Sequence, residues 1–511
     1  MLAHVTSAAL RGVDSILVQV EVNLAQGLPA FTVVGLPQGA VREGRERVGA
    51  ALGNSGFRLP PRRITVNLAP GDVRKQGTSF DLAIAVGLLA ADGHLPMSAL
   101  SGAAFLGEVG LDGSMRPIRG MLSMATRCRD EGVQQLMVPQ ANAAEAALIP
   151  ELRVYGAESL MQVVGHLRGT ARLAPRRVDA RDYLAHADLA PDLADVQGQR
   201  VARRALEVAA AGSHNLLFLG PPGSGKTMLA RRLPGILPTL SVDEALETSR
   251  VHSVAGLLRH GEPLVGRRPF RAPHHTVSDA GLVGGGSPPG PGEVSLAHHG
   301  VLFLDELSEF RRSVLDVLRE PLEEGRVHLS RAGASLTFPA RILLIAAMNP
   351  CPCGYWGDAS DRCLCDPTLV RRYRSRVSGP LLDRIDMHVH VPAVSFESLS
   401  GAAEVRGETS AAVRARVEEA RDRQRSRLLA VPGVHANGQM GPAEMRRFCV
   451  PCPPVARMLQ RAVERLNLSA RSYHRILKVA RTIADLSGAH DIEAHHAAEA
   501  LHYRYLDRGT G

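Results

Sequence analysis

The sequence predicts an α/β chain in three successive parts: a mixed strand-and-helix unit, a parallel-sheet phosphate-loop unit, and a helical carboxy-terminal unit. Three observations predict it. The apolar stretch Asn215-Leu216-Leu217-Phe218-Leu219 runs directly into Gly220-Pro221-Pro222-Gly223-Ser224-Gly225-Lys226-Thr227, the strand, loop and helix context that G-x-x-x-x-G-K-[ST] requires. Two more apolar strands, Val301–Leu304 and Ile342–Ala347, end at Asp305-Glu306 and at Met348-Asn349-Pro350, so three strand tips converge on one phosphate position. Beyond about residue 396 the apolar residues recur at a spacing near 3.6, over Ala411–Leu428, Pro453–Leu466, Ala470–Leu486 and Ile492–Leu506.

In chain order, residues 1–168 alternate strands and helices. Ile16–Val22 and Ile64–Leu68 show β-branched alternation, and Asp81–Ala91 is a helix apolar enough to be buried all round. Residues 169–190, with Arg176-Arg177 and several Ala, Asp and Pro, read as a linker. The second unit spans 191–395, opening near Asp195-Val196-Gln197-Gly198-Gln199, and the helical unit spans 396–511.

At 511 residues the chain can bury several cores. A net charge of +9 and a pI near 9.5 favour an anionic partner. Among 60 basic residues only Lys75, Lys226 and Lys478 are lysine, so the lysine in the phosphate loop stands out and the other two merit inspection. Seven unevenly spaced cysteines exclude a secreted disulfide scaffold, and Met1-Leu2-Ala3-His4-Val5-Thr6 lacks the basic-then-apolar order of a leader. No uninterrupted apolar run reaches bilayer length, so a cytoplasmic location without membrane contact is expected.

The chemistry follows from the three tips. The loop glycines let backbone N–H groups converge on phosphate oxygens, Lys226 neutralises the β/γ charge of ATP, and the Thr227 hydroxyl is a ligand for Mg²⁺. Asp305 would hold that Mg²⁺ through water, while Glu306 would orient and polarise the attacking water. Asn349 can donate to the γ-phosphate side, the role of a sensor; a turn Asn before Pro is the alternative. Cys351-Pro352-Cys353 and Cys363-Leu364-Cys365 form two C-x-C pairs, a donor set that suits tetrahedral Zn²⁺ and would staple the loop after Asn349; free buried thiols are the alternative. Cys449-Val450-Pro451-Cys452 lies between helices and reads as chance.

Arg271-Ala272-Pro273-His274-His275-Thr276, then Gly284-Gly285-Gly286, Pro291-Gly292-Glu293-Val294-Ser295-Leu296-Ala297 and Gly300 ahead of Asp305-Glu306, resemble the ComM/YifB type within the magnesium-chelatase-like branch of the AAA+ ATPases. The resemblance covers nearly the whole chain. It implies an AAA+ P-loop core, a helical lid and a homo-hexameric ring. It also implies that Arg384, in Leu381-Leu382-Asp383-Arg384-Ile385-Asp386, is the arginine finger supplied to a neighbour's ATP, and that Arg471 is the lid sensor, with Arg475 one turn later as the second choice. Without the resemblance, either arginine reads as a surface or salt-bridge residue. The branch carries an extra hairpin, here Gly325–Phe338, whose Arg331 would contact a DNA backbone from the ring pore; the alternative is a hairpin packed on the core. His274-His275 and Gly284–Gly286 belong to a second insertion expected to move with the nucleotide, and a metal role for the histidines is a minor alternative.

The first unit resembles the Lon-protease fold. Lys75-Gln76-Gly77-Thr78-Ser79-Phe80-Asp81 lies where Lon carries its nucleophilic serine, with Ser79 at that position, while Leu122 stands where Lon has its activating lysine. A hydroxyl without a base is a poor nucleophile, so a non-proteolytic binding or assembly module is expected. The whole resemblance implies an ATP-hydrolysing ring motor on single-stranded or branched DNA, a helicase promoting branch migration in homologous recombination during natural transformation. The rival readings are a chelatase-type motor subunit and a protein-remodelling ATPase.

Overall fold

A computed structural model describes the chain except residues 59, 186–190, 260, 288, 332–333, 358–361, 394–406, 467, 505 and 507–511. The first part is built on a seven-stranded mixed sheet. Its order is Ala30–Val34, Arg63–Ala69, Asp14–Ala25, Leu2–Arg11, Ala103–Phe105, Gln135–Pro139, Arg153–Ala157. Leu2–Arg11 and Asp14–Ala25 form a hairpin in which Val5, Val18, Val20 and Val22 are fully buried, as period-two alternation demands of a strand with one covered face. The helix Asp81–Ala91 covers that face and is buried along its whole length. Its first residue, Asp81, is neutralised by Arg47 at 2.8 Å.

The positions that resemble a protease site are filled by packing. Leu122 is fully buried with Met121, Met124, Leu136 and Val138, and the Ser79 hydroxyl donates to the Ala8 carbonyl at 3.1 Å. Lys75 is buried and donates to the Pro70 carbonyl. Lys478 donates to the Gly438 carbonyl at 3.0 Å. Both lysines that merited inspection therefore serve backbone oxygens.

The second part is a five-stranded, wholly parallel sheet in the order Phe270–Arg271, Val301–Leu304, Leu343–Met348, Leu216–Leu219, Met387–His390. The strand expected at Ile342–Ala347 runs one residue later, and the two-residue Phe270–Arg271 and the half-polar Met387–His390 were not expected as strands. The helices Ser410–Leu428, Pro442–Phe448, Pro453–Leu466, Ala470–Leu486 and Ala494–His502 follow. The final helix is shorter than the Ile492–Leu506 pattern suggests, and Pro442–Phe448 was not expected. Apolar residues of these helices, including Val417, Val479 and Ile483, join Leu216, Phe218 and Ile345 in one continuous core, so the helical part packs directly against one face of the sheet. Among the described residues, no helix is long and apolar enough to cross a membrane.

The first and second parts meet along the helix Val242–Ala255, whose start is fixed by a capping box between Ser241 and Glu244. Leu240, Ala245 and Leu264 join the apolar cluster around Leu122, and Val251 joins Val13, Leu296, Leu336 and Phe338. Arg250 pairs with Asp14 at 2.9 Å, and the Gly120 amide donates to the Ser253 carbonyl at 3.2 Å. Glu145 lies at this seam. It accepts from the Leu122 amide at 2.9 Å and from the Ser253 hydroxyl, and burial raises its pKa above the ordinary glutamate value. A raised folded pKa gives stability that is complete at low pH and is lost as pH rises through the folded value. Melting curves from pH 4.5 to 8 are expected to fall less steeply for Glu145→Gln than for the wild type over that rise. Equal slopes would show that the Glu145 pKa is the same in the folded and the unfolded chain.

Candidate nucleotide site and cysteine cluster

Parallel register brings the three strand tips together: Leu219 is level with Met348, and Leu304 with Ala346. The Gly220 amide donates to the Met348 carbonyl at 3.3 Å. A Cβ at Gly220 would lie 2.0 Å from the Val391 carbonyl oxygen, so only glycine lets the end of the last strand lie against the loop. The loop from Pro221 to Gly225 then delivers Lys226 and Thr227 to the first turn of the helix Lys226–Arg232.

Lys226 is buried, and its ammonium donates to the Gly220 and Pro221 carbonyls at 2.8 Å each and to Asn349 Oδ1 at 3.3 Å. Burial lowers its pKa, and the nearby Asp305 carboxylate works in the opposite direction. The Thr227 hydroxyl donates to Asp305 Oδ2 at 2.6 Å. Lys226, Thr227, Asp305 and Asn349 are thus one connected group. Its oxygens are the hard donors that Mg²⁺ selects, and its loop amides and ammonium fit a polyphosphate.

Glu306 takes a left-handed backbone conformation, φ 52°, with its amide donating to Asp305 Oδ1 at 2.9 Å and its side chain 60% exposed. His275 Nδ1 lies 3.5 Å from Glu306 Oε2. The His275 ring packs on His274 at 4.0 Å and edge-on to Phe310 at 6.4 Å. The loop bearing it is anchored by the bidentate pair of Arg271 with Glu293 at 2.6 and 2.7 Å. The sequence marks His274-His275 as part of a moving insertion, with a metal role as a minor alternative; the contact with Glu306 needs the fold. Gln199 was also missed. Its amide nitrogen donates to the Ser224 carbonyl at 3.3 Å and to the Pro392 carbonyl at 2.7 Å, tying the phosphate loop to the end of the last strand. Its only signal in the sequence is its place in Gln197-Gly198-Gln199.

Arg384 lies elsewhere. It precedes Met387, which is level with Leu216, and its carbonyl accepts from Asn215 Nδ2 at 2.9 Å. That is the amino-terminal edge of the sheet, whereas the phosphate loop leaves the opposite edge. Its guanidinium donates to the Pro380 carbonyl at 2.5 Å and pairs with Glu323. Arg471 is 71% exposed, with Nη1 3.6 Å from Asp383, beside Arg384 in the chain. Arg475 is largely buried, 3.6 Å from Asp386, and donates to the Leu382 and Ile385 carbonyls at 3.5 and 3.4 Å, so it braces the Arg384 loop.

The expected hairpin forms from Arg326–Arg331 and Ala334–Pro339, with Arg331 level with Ala334. The turn at 332–333 and the Arg331 side chain lie outside the described residues. At the base, Leu336 and Phe338 pack with Val13 of the first part, so this end of the hairpin is a packed structure.

The sulfurs of Cys351, Cys353, Cys363 and Cys365 lie within 4.8 Å of one another, with Cys351 to Cys353 at 3.3 Å, Cys353 to Cys363 at 3.5 Å and Cys351 to Cys363 at 3.8 Å. A tetrahedral Zn²⁺ with Zn–S near 2.3 Å places its sulfurs about 3.8 Å apart, so the donor set fits. Hydrogen bonding, foremost from the Tyr355 amide, pulls the Cys353 thiol down to about 6, while burial pushes the neighbouring Cys363 thiol up. The loop touches the phosphate loop: Gly354, at φ 88°, leaves no room for a Cβ, which would fall 2.5 Å from Pro222 Cδ. A second ligand-like group, Glu247 with His298 and His299, is closed by hydrogen bonds. Glu247 lies 3.2 and 2.8 Å from the two Nε2 atoms, and His298 Nδ1 already accepts from the Arg341 amide at 3.0 Å.

Metal analysis of protein purified without chelators is expected to give one zinc per chain, and Ser at Cys351 and Cys363 is expected to remove it and lower the melting temperature. Because Gly354 abuts Pro222, the same variant should bind ATP more weakly. Zinc-free wild-type protein would leave the free-thiol reading.

The family profile described as magnesium chelatase, subunit ChlI, matches residues 192–399; a profile for subunit ChlI of Mg-chelatase matches 20–142, and that for the ChlI carboxy-terminal part matches 407–504. The chain is 46% identical to competence protein ComM of Haemophilus influenzae, over 99% of this chain and 98% of that protein. It is 44% identical to the uncharacterized protein YifB of Escherichia coli, over 98% and 97% of the two chains. The magnesium-chelatase 38 kDa subunit of Cereibacter sphaeroides is 24% identical over 30% of this chain and 51% of its own length.

Proposed function

The chain belongs to the ComM/YifB type of the magnesium-chelatase-like AAA+ family, and on that premise we propose that it is an ATP-hydrolysing hexameric motor that translocates on DNA. The observation that carries the motor reading is the Lys226–Thr227–Asp305–Asn349 group facing one edge of a parallel sheet while Arg384 lies at the other. An arginine so placed reaches a phosphate only on a neighbouring copy, which favours a closed ring.

Bound ATP supplies the phosphoanhydride and Mg²⁺ offsets its charge. Lys226 exchanges the Gly220 and Pro221 carbonyls for phosphate oxygens. Thr227 and Asp305 would hold the metal, Glu306 would orient and polarise the attacking water, and Asn349 would donate on the γ side. Arg384 of one copy neutralises the charge that grows on the phosphoryl oxygens in the next, and Arg471 attends the same neighbour from the start of its helix.

DNA is the favoured track because the chain carries +9 and because a full-length relative bears a competence name. Competence implies DNA entering a recombining genome, so branch migration during natural transformation is the activity we assign, in the cytoplasm. The test is ATPase rate against single-stranded, duplex and four-way-junction DNA. Stimulation by DNA that weakens with salt and ignores base sequence is expected, and Arg331→Ala should keep basal turnover and lose most of the stimulation. Stimulation by a porphyrin or by unfolded protein instead, with none by DNA, would select the chelatase-type or protein-remodelling reading.

A further inference from the structure

A surface cleft of about 470 Å³ opens beside the candidate nucleotide site, between the segment after Glu306 and the end of the helix Pro367–Arg374. Ser308, Glu309, Phe310, Arg312, Arg372, Ser375 and Arg376 line it. Phe310 and Ser308 are buried and form its floor, with the Ser308 hydroxyl donating to the Tyr373 hydroxyl at 2.5 Å. Three guanidinium groups face one carboxylate. Glu309 pairs with Arg376 at 3.2 Å, and Arg312 has only a loose contact with Asp316 at 3.9 Å. No carboxylate pairs with Arg372 among the described residues. The cleft therefore keeps an excess of positive charge in a concave, solvent-open place.

We propose that this cleft binds a backbone phosphate of DNA, an inference that rests on the DNA-motor reading above. Guanidinium forks match phosphodiester oxygens in pairs and need no base identity. An aromatic ring that could stack a base is lacking in the open part of the cleft, since Phe310 is only 4% exposed; the backbone, not a nucleobase, is what it can hold. Its floor also reaches the hydrolytic residue. Phe310 meets the His275 ring, and His275 meets Glu306. A phosphate seated here therefore lies one aromatic contact and one imidazole away from the carboxylate that acts on water. DNA in the cleft would adjust the rate of hydrolysis through that chain of contacts.

The experiment uses the full chain with Arg312→Ala and Arg372→Ala combined, and with both changed to Lys. DNA affinity is followed by fluorescence anisotropy from low to physiological salt, alongside basal ATPase rate, binding of a fluorescent ATP analogue and oligomeric mass. For the Ala pair the salt slope should fall by about 0.9, the value for one phosphate contact, and DNA should bind roughly tenfold more weakly at physiological salt. The Lys pair should restore the slope, while basal turnover, analogue binding and mass stay at wild-type values. Wild-type protein that binds no DNA even at low salt would remove the DNA reading and this inference together. Wild-type binding that the Ala pair leaves unchanged would overturn the inference alone. Loss of the assembled mass in the Ala pair would show that the cleft takes an acidic surface of a neighbouring copy, and loss of analogue binding would show that it takes nucleotide phosphate; either result overturns it.

Discussion

Glu306→Gln is expected to bind ATP as the wild type does and to lose turnover by roughly 10²–10⁴-fold, the usual worth of a positioned general base. The amide keeps the size of the side chain, and the carboxylate that polarises water is gone. Lys226→Ala should show the opposite split. Removing the ammonium leaves the Gly220 and Pro221 carbonyls and Asn349 Oδ1 without their shared donor, and the phosphate loses a charge-assisted bond. ATP affinity should drop by roughly a hundredfold, about 2.8 kcal/mol at about 1.4 kcal/mol per decade. Equilibrium binding of a fluorescent ATP analogue and steady-state phosphate release separate the two effects. A Glu306→Gln protein hydrolysing at the wild-type rate would remove Glu306 from the mechanism.

Arg384→Ala is expected to bind ATP normally and to lose hydrolysis by roughly 10³–10⁵-fold, as trans-acting arginines do. The decisive result comes from mixing. An Arg384→Ala copy keeps its own phosphate loop and Glu306, and a Glu306→Gln copy keeps its Arg384, so hybrid rings contain some junctions with both groups intact. Turnover should rise above that of either parent in proportion to those junctions. Hybrid rings verified by mass that stay inactive, or a fully active monomer, would overturn the ring model.

Those parts of the site that depend on a fixed spacing along one strand and its loop were legible in the sequence. The phosphate loop, Asp305-Glu306 and Asn349 each sit at the end of an apolar run, and parallel register alone makes them neighbours. The two flanking strands were hidden for separate reasons. Phe270–Arg271 is too short to show a period, and Met387–His390 alternates apolar residues with histidines, of which His388 is fully enclosed and pushed by burial well below its ordinary pKa. The helix Pro442–Phe448 has only seven residues behind Gly441, too few to display a repeat. Gln199 and His275 act on partners 25 and 31 positions away in the chain. No local pattern announces contacts of that kind, because they arise from the crossing of loops at the sheet edge. Arg384 and Arg471 came from the family resemblance; that Arg384 lies at the opposite edge from the phosphate loop came only from strand register.

The seam along Val242–Ala255 bears on how the molecule comes apart. Leu240, Ala245, Leu264, Val251, Leu336 and Phe338 are shielded by residues of the first part or share a cluster with them. Cutting the chain at 169–190 and separating the pieces would turn that shielded seam into a broad greasy face on each fragment. Such a face is an invitation to self-association. Melting of the intact chain should then be a shared event across the seam, so that a lesion in Val13 or Leu122 lowers the temperature at which the nucleotide half loosens, even though neither residue comes near a phosphate.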